Sequence, residues 1–203
     1  MSILDVSHRK QLMITGGSTA SLELSYLARL IGYEAIVGQY NILSNGSDGV
    51  DTAVADGAIM ACLLHNIDPH DRIKVFRPIC APVPSFDFGH LRISGEDYVA
   101  RRNFVIDQSD AVVLIGGGSG TTEVFRYAEK CGKVTLPVGI GSSKEAAVLL
   151  WHEAVRASAS DAGRAKLSHD DLLVIGPSQY NLKAAAAGAI QILNKVLFAT
   201  NQQ

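Results

Sequence analysis

Four of the five residues from 116 to 120 are glycines, and they separate an apolar run, Ala111–Ile115, from the polar residues Thr121, Thr122 and Glu123. The apolar run predicts a buried β-strand, and the polar residues predict the first turn of a helix. Glycine lets a ligand approach the bare backbone, and the first N–H groups of a helix have no acceptor within the helix. A strand, a glycine-rich loop and a helix in this order therefore predict a site for a phosphate-bearing ligand.

Loops after other predicted strands contribute further candidates. A parallel sheet binds ligands beyond the carboxyl ends of its strands, where the direction of winding reverses. If strands 11–15 and 111–115 are neighbours, the loops that follow them face one crevice. Asp51 and Asp56 lie on the helix after a second glycine-containing loop and are interpreted as surface acids. The predicted ligand-binding residues are Gly16, Gly17, Ser18, Asn45, Gly116, Gly117, Gly118, Ser119, Gly120, Thr121 and Thr122.

Two common nucleotide-binding motifs do not fit the glycine loop. In the dinucleotide fingerprint GxGxxG, Gly116 and Gly118 fit but Thr121 takes the place of the last glycine. The Gly-Lys-Ser/Thr sequence of a P-loop is also missing. These mismatches disfavour a nicotinamide-dependent dehydrogenase and an NTPase.

Short apolar runs alternate with helical patterns along the chain, which is typical of the α/β class. Continuous apolar runs are typical of strands that are buried on both faces of a parallel sheet. We therefore expect a Rossmann-like, doubly wound parallel sheet with helices on both faces. We expect it to form a single domain over residues 1–203. Residues 77–93 are expected to form a long loop. The predicted strands are 11–15, one within 34–44, 73–76, 111–115, 134–138 and 172–175.

Composition narrows the classes of partner. A net charge of −2 and an isoelectric point near 6.3 give no overall basic character, so we expect no nucleic-acid binding. The apolar runs are shorter than the roughly 18 residues of a membrane span, so no membrane association is expected. Three widely spaced cysteines without a CxxC pair suit a reducing cytoplasm, and neither a metal site nor a cofactor is predicted. The apolar closing helix predicts a homodimer or a higher homo-oligomer.

The sequence from Asp110 to Glu123 resembles the PGGxGTxxE region of the LOG family, the cytokinin-activating nucleoside 5′-monophosphate phosphoribohydrolases. The pair Arg101-Arg102 lies nine residues before Asp110, as an Arg-Lys pair does in that family. Residues 12–18 and 45–58 resemble the family's earlier glycine loops, so the resemblance spans roughly residues 11–140. These motifs are specific for the wider superfamily that also contains DprA-like proteins and nucleotide-sensing SLOG domains.

The resemblance implies hydrolysis of the N-glycosidic bond of a nucleoside 5′-monophosphate to a free base and ribose 5-phosphate. It implies catalytic roles for Glu123, Arg101 and Arg102, because a carboxylate can stabilise an oxocarbenium-like sugar and activate water, while arginine can bind phosphate. The family's glutamate aligns with Val124, one position after Glu123. Either a shortened loop brings Glu123 into place, or Glu123 is only a first-turn acid. The alternative function is a non-catalytic SLOG-type sensor of a nucleotide or an ADP-ribose-like signal.

Overall fold

The computed structural model describes residues 9–81, 89–159 and 167–198. Its strands are β1 (Gln11–Gly16), β2 (Asn41–Ser44), β3 (Ile73–Arg77), β4 (His90–Ile93), β5 (Ala111–Ile115) and β6 (Val134–Val138). Its helices are α1 (Leu22–Val37), α2 (Val50–Leu64), α3 (Pro69–Arg72), α4 (Tyr98–Gln108), α5 (Ser119–Lys130), α6 (Ala146–Ala159), α7 (His169–Val174) and α8 (Leu182–Phe198).

All six strands form one parallel sheet in the order β4-β3-β2-β1-β5-β6. The chain winds outwards from β1 to β4 and then crosses back to β5, so the winding reverses beside β1. At this reversal Gly16 pairs in register with Ile115. One apolar cluster covers a face of the sheet with side chains of α1, α2 and α8, and a second covers the other face with side chains of α4 and α5. The predicted α/β class and double winding are confirmed, and the condition that strands 11–15 and 111–115 are neighbours is met.

Two segments differ from the sequence prediction. Residues 172–175 were predicted as a strand, but most of them lie in α7, where the side chains of Ser168 and Asp171 form a reciprocal capping box. The capping bonds satisfy the first N–H groups of the helix, which favours a helix over a strand for this short apolar run. The predicted loop 77–93 contains β4, whose four residues are all exposed at the edge of the sheet. Its residues, His90 to Ile93, alternate between polar and apolar, but the alternation spans only four positions, the shortest run that predicts a strand.

Helices α1 and α2 pack closely because glycines lie where they cross. A methyl group on Gly32 would overlap the carbonyl group of Val54, and one on Gly57 would overlap the carbonyl group of Arg29. Gly32 lies inside α1, which continues to Val37. This crossing fixes the position of α2, whose first turn borders the crevice. None of the helices in the described residues is long and apolar enough to cross a bilayer.

Candidate functional site

The loops after β1, β2 and β5 meet at the carboxyl edge of the sheet. The N–H group of Val50, at the start of α2, donates a hydrogen bond of 3.0 Å to the carbonyl oxygen of Gly17. A methyl group on Gly17 would lie 3.3 Å from the Cα atom of Gly117, so the first and third loops are in direct contact. The structure therefore brings together the three loops that carry the predicted ligand-binding residues.

The glycines of the loop after β5 fall into two groups. Gly116 and Gly117 have φ angles of +59° and +85°, and a methyl group on Gly117 would overlap the hydroxyl oxygen of Thr121. The fold itself requires glycine at both positions. A methyl group on Gly118 or Gly120, by contrast, would meet no atom within 4 Å in the described part of the chain. The backbone at Gly118 and Gly120 faces open space.

The first turn of α5 presents donors to this space. Gly118 is the N-cap residue and provides no side-chain cap, while its carbonyl oxygen accepts hydrogen bonds from the N–H groups of Thr121 (3.0 Å) and Thr122 (3.1 Å). The N–H groups of Ser119 and Gly120 are thus left without an acceptor within the helix. They lie at the positive end of the helix dipole, which attracts anions. The hydroxyl group of Thr121 is buried beneath the loop, whereas Ser119 is exposed.

The two adjacent arginines of α4 have different surroundings. Arg101 is buried: its guanidinium group donates to the carbonyl oxygen of Asn45 and lies 5.3 Å from the centre of the Tyr98 ring. Arg102 lies at the rim, where its Nη1 atom is 2.8 Å from the Oε2 atom of Glu123. The side chain of Arg102 is 17% exposed and that of Glu123 is 60% exposed. Arg101 thus supports the loop after β2, and Arg102 is the arginine nearer to solvent.

Residues 123 and 124 point in different directions. Val124 packs in the core with Val105 and Phe125, on the side of α5 that faces the sheet. Glu123 lies on the exposed side and contacts Arg102. A carboxylate at position 124 would therefore be buried among apolar side chains, and the carboxylate that the structure places beside the arginine pair belongs to Glu123.

Asp51 was interpreted as a surface acid, and this interpretation is wrong. Its side chain is 1% exposed, below the crevice, where Oδ1 accepts a hydrogen bond of 2.8 Å from the hydroxyl group of Thr15. Burial raises the pKa of Asp51 to about 6, opposed by the hydrogen bonds from Thr15 and Ser47 and by the positive charge of Arg101. A signal was present in the sequence, because the residues around Asp51 in α2 are apolar on nearly every side of the helix. Asp56 is exposed, as predicted.

Within the described part of the chain, two buried polar atoms lie unpaired where Arg101 contacts the loop after β2. The Nε atom of Arg101 and the Oδ1 atom of Asn45 are buried without a hydrogen-bond partner in the described residues. Burial lowers the pKa of Arg101, while the nearby carboxylate of Asp51 opposes this shift. Such atoms are costly to bury unpaired. No group of three His, Cys, Asp or Glu side chains in the described residues could hold a metal ion.

No protein-family model and no curated protein matches this sequence. Solved structures do. The molybdenum cofactor carrier protein of Chlamydomonas reinhardtii is 18% identical, with 94% of this chain and 99% of that chain covered and a TM-score of 0.58. The protein TM1055 is 22% identical, with coverage of 64% and 74% and a TM-score of 0.51. DNA processing protein A of Helicobacter pylori is 17% identical, with coverage of 73% and 74% and a TM-score of 0.54. At these identities the likeness establishes a shared fold.

The exclusion of nucleic acid from the net charge was wrong. The Helicobacter pylori protein, which has this fold, binds single-stranded DNA. Net charge sums over the whole surface, whereas a strand of DNA contacts a local groove and depends on the charges and aromatic rings placed there. A value of −2 for the chain therefore does not exclude such a groove.

Proposed function

We propose that the crevice between the loops after β1, β2 and β5 binds a phosphate-bearing small molecule of the nucleotide class. The observation that carries this proposal is the open space in front of Gly118 and Gly120 at an uncapped helix N-terminus. The packing of the described residues gives no reason for glycine at these two positions. A bound phosphate group would give such a reason. It would approach the N–H groups of Ser119 and Gly120, and a methyl group at position 118 or 120 would keep the phosphate away.

Arg102 and Glu123 form the rim of the proposed site. Their ion pair is largely exposed on the carboxylate side, so it contributes little to stability and can be exchanged. An incoming phosphate carries the same kind of charge as the Glu123 carboxylate and competes with it for the guanidinium group of Arg102. The ligand thus releases Glu123 close to the bound molecule.

The finer proposal is hydrolysis of the N-glycosidic bond of a nucleoside 5′-monophosphate. In it, the released carboxylate of Glu123 stabilises positive charge on the ribose and activates a water molecule, while Arg102 holds the phosphate. Arg101 acts as a positioning residue through the carbonyl group of Asn45. The products are the free base and ribose 5-phosphate.

A carrier or sensor that binds without turnover is the second candidate. It is favoured by the buried Val124, which stands where the LOG-like pattern has its glutamate. A protein named as a molybdenum cofactor carrier shares this fold over 99% of its own chain. A carrier needs the phosphate-binding turn of α5 but no carboxylate next to the sugar.

Binding is tested with a Gly120→Ala variant. We expect the ligand-free variant to be at least as stable as the wild type, because alanine is favoured over glycine in a helix by up to about 1 kcal/mol. We expect its affinity for nucleoside monophosphates, measured by isothermal titration calorimetry, to fall tenfold or more. Equal affinity in the variant and the wild type would refute the phosphate site.

Turnover is tested by incubating the protein with nucleoside monophosphates and measuring free base and ribose 5-phosphate. Glu123→Gln should abolish the release of base and should strengthen phosphate binding, because the competing carboxylate is removed. Glu129→Gln, on the same helix and also exposed, is the matched control and should behave like the wild type. Binding without any release of base would select the carrier or sensor.

A further inference from the structure

A second concave surface lies on the α4 side of the sheet, over β3 and β4. Its volume is about 440 Å³, within the range of small-molecule sites. Lys74, Phe76, Arg92, Ser94, Phe104 and Gln108 are among the residues that line it. We call it the edge groove. None of the residues that line the edge groove belongs to the three loops of the crevice, so the two surfaces are distinct.

The register of the edge strands places basic and aromatic side chains side by side. Phe76 of β3 is directly opposite Arg92 of β4, so their side chains share one face of the sheet. Lys74 lies two residues before Phe76 in the same strand and faces the same way. Helix α4 adds Phe104, whose ring centre is 5.6 Å from that of Phe76. Phe76 is buried, and Phe104 is 40% exposed and available to a ligand.

The charges of the edge groove are uncompensated. Across residues 9–81, 89–159 and 167–198, no carboxylate forms an ion pair with Lys74 or Arg92. The Oε1 atom of Gln11 and the Oγ atom of Ser94, both in residues that line the groove, are buried and have no hydrogen-bond partner there. A fitting ligand has negative charge for the cations, a flat ring for Phe104 and polar edges for the amide and hydroxyl groups. A nucleotide unit combines all three.

We propose that the edge groove is a second binding site, specific for a nucleotide unit whose base stacks on Phe104 and whose phosphate lies between Lys74 and Arg92. The same chemistry is offered by a free mononucleotide and by one residue of a single-stranded nucleic acid. Stacking is tolerant of sequence because every base has an aromatic face, and the cations contact the backbone. This site does not depend on the proposed function of the glycine crevice.

The experiment uses the full chain with the Gly120→Ala substitution, so that phosphate binding in the crevice does not obscure the groove. One arm titrates thymidine 5′-monophosphate by calorimetry, and the other titrates a fluorescent oligothymidylate by anisotropy. Binding in the first arm identifies a free nucleotide as a sufficient ligand, and binding in the second arm alone identifies a nucleic-acid strand. Absence of binding in both arms overturns the proposal.

Substitutions then locate the site. Phe104→Leu keeps an apolar contact with Phe76 but removes the stacking face, and it should weaken binding on the order of tenfold. Arg92→Gln should weaken binding about fivefold and lower the salt dependence of oligonucleotide binding by about one ion. Tyr180→Leu, in the loop before α8, and Arg156→Gln, in α6, are the matched controls; both side chains are exposed, and both variants should bind like the background protein.

Two results of these titrations overturn the assignment to the edge groove. One is equal affinity of the Phe104→Leu and background proteins. The other is an equal loss of affinity in the control variants, which would indicate a diffuse charge effect. If Gly120→Ala does not weaken the binding of nucleoside monophosphates while the edge groove still binds, the proposed function of the crevice is refuted and the proposal for the edge groove stands.

Discussion

Replacing Asp51 by asparagine should change how the free energy of unfolding depends on pH. The side chain of Asp51 is buried beneath the crevice, and asparagine has nearly the same shape but does not ionise. Asparagine can still accept the hydrogen bond from the hydroxyl group of Thr15. It gives up the weaker contact with the N–H group of Ser47, at 3.5 Å. That loss is the same at every pH, so it changes the free energy of unfolding by a constant amount and does not change its dependence on pH.

The pH dependence of the free energy of unfolding comes from the ionisation of Asp51. Burial raises the pKa of Asp51 to about 6 in the folded protein, against an ordinary value of 3.8. Between these two values the folded state holds a proton that the unfolded state has lost, so the free energy of unfolding falls as the pH rises. One pKa unit is worth about 1.4 kcal/mol, so the loss is about 3 kcal/mol. It is absent below about pH 4 and complete above about pH 7.

Urea unfolding of both proteins, followed by circular dichroism between about pH 4 and pH 8, measures this effect. The stability of Asp51→Asn relative to the wild type should rise by about 3 kcal/mol across that range. Asp56 lies on the exposed side of the same helix. For Asp56→Asn, the free energy of unfolding relative to the wild type should change by less than about 1 kcal/mol across the same pH range. A constant difference between Asp51→Asn and the wild type at every pH would show that Asp51 ionises freely, and the account of its burial would fail.

Three further substitutions test the packing that holds the site in place. Gly57→Ala should lower the free energy of unfolding by about 1–3 kcal/mol, because its methyl group would overlap the carbonyl group of Arg29; unchanged stability in urea would contradict the close crossing of α1 and α2. Trp151→Phe removes an indole N–H group that lies 2.8 Å from the carbonyl oxygen of Leu172, and should cost about 1–3 kcal/mol by thermal circular dichroism. Arg72→Met removes the hydrogen bonds to the carbonyl oxygens of Ile36 and Tyr40, of which that of Ile36 keeps the N–H group of Gln39 as a donor, and should cost at least as much. Arg29→Met, at an exposed position, should cost under about 1 kcal/mol.

The sequence allowed the centre of the fold to be predicted because its signals are local. Strands β1 and β5 are buried on both faces and are continuous apolar runs, and the glycines after β5 stand directly beside them. Once β1 and β5 are neighbours, the rule that parallel strands end at the same edge brings the loops after them together. Their pairing itself joins residues about 100 positions apart, and no local signal predicts it.

The rest depended on burial and on distant contacts. Strand β4 is exposed along its whole length, and its polar and apolar residues alternate over only four positions, the shortest run that predicts a strand. The apolar residues 172–175 fit a strand or a short helix equally well, and the capping bonds of Ser168 decide between them. The burial of Asp51 depends on Thr15 and Arg101, which lie 36 and 50 positions away in the chain. The different surroundings of Arg101 and Arg102 likewise depend on which side of α4 faces the sheet.

The pairing of β1 with β5 also constrains the order in which the chain can fold. Strand β1 pairs on one side with β2, about 30 residues later, and on the other side with β5, about 100 residues later. A chain that emerges from the ribosome therefore leaves one edge of β1 without a partner until about 100 further residues have been made. Closing so long a loop carries a large entropy cost, which makes this pairing a late and slow event. The crevice lies across the same junction, so the growing chain completes its candidate ligand site only after it has passed its period of greatest risk of aggregation.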